Sequence, residues 1–141
     1  MKTNLFFVYG TLRVNQSNWR WALRDKTGVK HLGLARTRDK FALYSSGIPF
    51  VFKAPAVTRI MGDVFEVTNP NVIKNLDQLE GHQSGVMSGY HRETIPVIME
   101  NDMELTAWIY FYYLDQPHGR LIDSGDWLET EDAGLKFRRE P

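Results

Sequence analysis

Apolar residues follow two spacings along this chain, and the changes between them mark out its elements. Leu5-Phe6-Phe7-Val8-Tyr9 is a continuous apolar run of strand length. It predicts a buried first strand that ends at Gly10, where a residue without a Cβ lets the backbone turn without a clash. Between Asn15 and Arg24, Trp19, Ala22 and Leu23 fall at i, i+3 and i+4, which predicts a helix with one apolar face. Short runs rich in Val, Ile, Phe and Tyr then succeed one another at Lys30–Ala35, Phe41–Tyr44, Pro49–Lys53, Met61–Val67, Tyr90–Met99 and Leu105–Tyr113. Gly, Pro, Asn or Asp separate them, so they read as strands of a barrel or curled sheet. One helix interrupts the series, with Asn69 as N-cap, Pro70 at the first helical position and Gly81 at a left-handed C-terminal position. No segment repeats at a fixed period, which excludes a solenoid.

The second helix carries an irregularity. Val72, Ile73, Leu76 and Leu79 have the spacing of a face pressed on a core, while Lys74, Asn75, Asp77 and Gln78 belong on the solvated side. Glu80 lies four residues after Leu76 and seven after Ile73, so helix geometry puts it on the apolar stripe. Partial burial and the negative end of the helix dipole both disfavour its charged form and raise its pKa, as suits a proton-transfer group. The same position is compatible with a terminal side chain that swings into water, and geometry alone leaves both readings open. The first turn is also double-sided. Val8-Tyr9-Gly10-Thr11-Leu12-Arg13 runs from a strand through a Gly turn toward a helix. Unpaired N–H groups there can hold a carboxylate or an oxyanion, yet a Gly after a strand is often only a turn.

Composition narrows the function. The 141 residues suit one domain, and a hydrophobic content of 43% suffices for an ordinary core. Seventeen basic residues balance seventeen acidic ones, so no overall field draws the protein to nucleic acid or to a membrane. A small-molecule partner fits better. There is no cysteine, which excludes disulfides, thiolate metal sites and a cysteine nucleophile. Leu5–Val8 is too short for a signal-peptide core and no stretch has membrane-spanning length, so a cytoplasmic protein is expected. His31, His82, His91 and His118 show no metal-ligand spacing. Ser84 and Ser88, in the Gly-rich run Gln83–Gly89, lack the strand–Ser–helix elbow of a hydrolase, and the run reads as a loop.

Five motifs are informative as an ordered set. They are Val8–Arg13, Gly62-Asp63-Val64-Phe65-Glu66-Val67, Leu76-Asp77-Gln78-Leu79-Glu80-Gly81-His82, Tyr90-His91-Arg92-Glu93 and Ser124-Gly125-Asp126-Trp127. With them the chain resembles the gamma-glutamylcyclotransferase-like family, including its gamma-glutamylamine cyclotransferase branch and the AIG2-like proteins, over most of its length. The resemblance implies an α+β fold, a small mixed β-barrel with a few flanking helices. It places one domain at residues 1–128, and the mixed charges and few large apolar residues of 129–141 read as a polar tail. It carries the catalytic acid–base role onto Glu80 and substrate binding onto Tyr9, Gly10, Thr11 and Leu12. Arg13 is a further binding candidate that serves equally well as a structural salt bridge, and Tyr110 matches a pocket-lining aromatic whose barrel face alternation leaves open. The implied reaction cyclises a gamma-glutamyl amine or peptide to 5-oxoproline with release of the amine, without metal or organic cofactor. The alternative is a non-catalytic small-molecule-binding member. Gln83–Gly89 lengthens the connection after Glu80 relative to many relatives, as a lid or as a tolerated insertion. Neither oligomeric state nor the leaving amine is implied.

Overall fold

The computed structural model describes residues 3–79, 90–112, 119–130 and 133. Its elements in chain order are β1 (Leu5–Val8), α1 (Ser17–Ala22), β2 (Val29–Thr37), β3 (Ala42–Ser45), β4 (Pro49–Phe52), β5 (Met61–Val67), α2 (Pro70–Leu79), β6 (Tyr90–Met99), β7 (Glu104–Tyr112) and β8 (Arg120–Leu121). The strands and helices expected from periodicity are all present, Met61–Val67 and Tyr90–Met99 with the expected bounds and the others with shifted ends. β8 and a 3₁₀ turn at Trp127–Glu129 are additions that no periodicity announces, because each is too short to show one.

Five strands close into a barrel in the order β1-β5-β2-β6-β7, and β4-β3-β8 form a separate three-stranded sheet. An odd ring of strands cannot alternate direction all the way round. One neighbouring pair must be parallel, and that seam is β1 against β7, bridged at Phe6 and Trp108. Every other barrel pair is antiparallel. In β2 the register slips between His31 and Gly33, and Gly33 takes a φ of 131°, which a residue without a side chain adopts freely.

The strands separate two cores. Phe7, Val64, Val97, Ala107, Ile109 and Phe111 fill the barrel, together with Trp127, which is 0% exposed and donates from Nε1 to Ser45 Oγ at 3.0 Å. Phe6, Val8, Phe65, Val67 and Tyr110 point the other way and pack with Ala22 and Leu23 after α1 begins and with Val72 and Leu76 of α2. β1 is therefore apolar on both faces, which is why it reads as an unbroken run rather than as an alternation. Asn69 caps α2 by accepting from the Asn71 N–H at 3.0 Å. Burial continues beyond residue 128, since Thr130 and Ala133 are enclosed. The remainder of the expected tail lies outside the described residues. Among the described residues no helix is long and apolar enough to cross a membrane.

Candidate functional site

A cavity of about 250 Å³ opens at the end of β1, where the loop, both helices, β7 and the β3–β4 turn meet. The loop contributes Tyr9, Gly10, Thr11 and Leu12 to its wall, α1 contributes Asn18, the β3–β4 turn Ile48 and Pro49, α2 Leu79, and β7 Tyr110. The residues expected to bind substrate are thus gathered here, Arg13 excepted. The face of Tyr110 is decided as well, because it belongs to the helix-side core. Glu80 follows Leu79 in the chain and lies outside the described residues, as do Gly81 and the Gln83–Gly89 run. Asn18, Ile48 and Pro49 were not legible as site residues, because no local pattern links them to the loop.

The loop is tightly built. The Arg13 N–H donates to the Gly10 carbonyl at 2.9 Å, closing a turn. The Thr11 carbonyl accepts from the N–H groups of Asn18 and Trp19 at 2.9 and 3.0 Å, and Asn18 Nδ2 donates to Thr11 Oγ1 at 2.8 Å. Two of the first amides of α1, those of Asn18 and Trp19, are therefore used within the protein. Among the described residues, none accepts from the backbone N–H of Gly10, Thr11 or Leu12. These three consecutive donors, on residues that line the cavity, are available to an anionic or carbonyl oxygen. Gly10 is required for close approach: a Cβ there would stand 2.2 Å from Pro49 Cγ. The Tyr9 hydroxyl donates to the Tyr110 carbonyl at 2.7 Å, tying the loop to β7.

Arg13 lies away from the lining and is only 3% exposed. Its Nε donates to Asp63 Oδ2 at 3.0 Å and its Nη1 to Asp126 Oδ1 at 2.9 Å. Asp63 also takes His31 Nε2 at 3.0 Å, and Asp126 caps the 3₁₀ turn by accepting from Leu128 N–H at 3.0 Å. Three of the sequence motifs thereby converge at Arg13 and anchor the end of the loop through residues that do not line the cavity. Among the described residues, no lining side chain is charged, and no group of three or more His, Asp or Glu side chains is gathered to hold a metal ion.

Asp77 departs from its expected place on the solvated side of α2. Its side chain is 18% exposed and accepts from the Tyr110 hydroxyl at 2.7 Å and from Arg92 Nη2 at 3.0 Å. Helical periodicity identifies the face that meets a core, but not a strand side chain that reaches over to the other face.

Comparisons agree with this architecture. The family described as gamma-glutamyl cyclotransferase, AIG2-like, matches residues 6–129. A protein of Methanocaldococcus jannaschii is 35% identical over 123 residues, covering 87% of this chain and 94% of its own. A gamma-glutamylcyclotransferase family protein of Escherichia coli K12 is 30% identical over 125 residues, covering 89% and 96%. The crystal structure of an AIG2-like protein from mouse shares the fold, with a TM-score of 0.67 at 24% identity over 85% of this chain and 88% of that one.

Proposed function

The chain belongs to the gamma-glutamyl cyclotransferase, AIG2-like family, and from that premise we propose that it is a metal-independent enzyme cyclising a gamma-glutamyl amine or peptide to 5-oxoproline, with Glu80 as acid–base group. In such a substrate the α-amine attacks the side-chain carbonyl carbon, and the new C–N bond closes a five-membered ring. Collapse of the tetrahedral intermediate breaks the bond to the departing nitrogen. No water is consumed. The amine is protonated near neutral pH and must lose a proton before attack, and the leaving nitrogen must gain one. A single carboxylate serves both steps: Glu80 takes the ammonium proton and returns it to the leaving amine.

The observation that carries this reading is the row of N–H donors on Gly10, Thr11 and Leu12, unpaired among the described residues, in a cavity whose wall includes Leu79, the residue before Glu80. With no charged side chain among the described lining residues, the substrate carboxylate or the oxyanion has these amides to bind. Folding the glutamyl chain for ring closure is worth roughly 7–11 kcal/mol of barrier when the geometry is right. Acid–base transfer adds about 10²- to 10⁴-fold.

The test incubates wild type and Glu80→Gln with a panel of gamma-glutamyl amines and peptides and follows 5-oxoproline by mass spectrometry. Wild type is expected to release it, and the variant to be slower by about 10²-fold or more. Equal turnover would refute the role of Glu80. No product from wild type across the panel would favour the ligand-binding alternative, which a thermal-shift screen of metabolites then addresses.

A further inference from the structure

Both sides of the cavity are tied to one residue. Tyr110 accepts the Tyr9 hydroxyl on its backbone carbonyl at 2.7 Å, which fixes the loop, and donates its own hydroxyl to Asp77 at 2.7 Å, which fixes α2. Asp77 is held a second time by Arg92 of β6. The guanidinium donates through Nη2 at 3.0 Å and keeps Nε 2.9 Å from Asp77 Oδ1 as an ion-pair contact without hydrogen-bond alignment. Arg92 is itself braced by aromatic faces, with its guanidinium carbon 4.3 Å from the Trp108 ring centre and 5.5 Å from that of Phe6. α2 buries Val72 and Leu76, and beyond Leu76 its last turn is held by Asp77 and the half-buried Leu79.

We propose that Asp77 is a positioning residue: clamped by Tyr110 and Arg92, it sets where the end of α2 stands relative to the Tyr9–Leu12 loop. Its catalytic consequence rests on the reading of Glu80 as acid–base group, three residues further along the chain. The loop has its own anchor in Arg13, so loosening the clamp moves the helix end and leaves the substrate-binding amides in place. A displacement of the reacting group by about 1 Å is enough to slow the chemistry by about 10²-fold. Loss of the clamp therefore lowers kcat and spares KM.

The experiment compares wild type, Asp77→Asn and Tyr110→Phe, the last of which keeps the packed ring and deletes one hydroxyl. Two readouts are taken at a temperature where each protein is folded. In 5-oxoproline release, Asp77→Asn is expected to lower kcat about tenfold or more with KM within about twofold, and to cost nothing further in a Glu80→Gln background. In amide hydrogen exchange, both variants are expected to lose protection at Leu76–Leu79, with β6 and β7 unchanged. A merely structural role would lower protection throughout the barrel. Unchanged kcat together with unchanged exchange at the helix end overturns the proposal, as does a rise in KM at constant kcat. If wild type releases no 5-oxoproline, the acid–base reading fails and exchange alone decides the clamp: faster exchange confined to the end of α2 upholds it, and unchanged exchange overturns it.

Discussion

Arg13 is enclosed between two carboxylates from distant parts of the chain, Asp63 at a sequence separation of 50 and Asp126 at 113. Removing the cation strands Asp63, which is buried, and that is the costly way to break a buried pair. Arg13→Ala is expected to lower stability by about 3 kcal/mol, the low end of the range for such pairs, because His31 still faces Asp63. Urea unfolding measures it. A variant of unchanged stability but raised KM would instead put Arg13 in contact with substrate. The sequence placed Tyr9–Leu12 and Tyr110 as site candidates through the family's motifs, and these residues do line the cavity. It could not choose between the two roles of Arg13. That choice depends on which carboxylates surround the guanidinium, and no local pattern records it.

At the scale of elements, the site is a junction between a loop, two helices and a hairpin, and Gly10 is the join between the first and the last. The Pro49 ring occupies the space that a side chain at position 10 would need. A pyrrolidine ring can change pucker but, bonded to the backbone at both ends, cannot swing away from a contact this short, so Gly10→Ala must push the β3–β4 turn off the loop and open the cavity wall. The expected result is a loss of kcat/KM of about tenfold or more, from misplacement on the ångström scale. Steady-state kinetics on the best gamma-glutamyl compound checks this. The elements themselves were largely legible, because strand and helix periodicities are properties of a few consecutive residues. α2 is the instructive exception. Its apolar face is legible from Val72 and Leu76, whereas periodicity puts Asp77 on the solvated side and the structure covers it with Arg92 and Tyr110 from neighbouring strands.

For the molecule as a whole, the barrel wall keeps two cores apart, one inside it and one beneath the helices. Ile109 belongs to the inner core and is fully buried, while its neighbour Tyr110 faces the helices. Ile109→Ala should cost about 2–5 kcal/mol through lost burial and the cavity it leaves. KM of the folded variant should rise as well, because Phe7 and Tyr9 belong to the same inner core as Ile109 and also line the cavity. Urea unfolding and kinetics on the same preparation test both halves. The sequence by itself determined seven of the eight strands, both helices and, through the order of five short motifs, the barrel family. Each of these is encoded in runs of neighbouring residues. Only the tertiary structure decided the barrel's parallel seam, the face of Tyr110, the burial of Arg13 between Asp63 and Asp126, and the capture of Asp77. Those outcomes depend on contacts between residues separated in the chain, from 15 positions for Arg92 and Asp77 to 113 for Arg13 and Asp126. They follow from how the ring of strands closes, which no local spacing encodes.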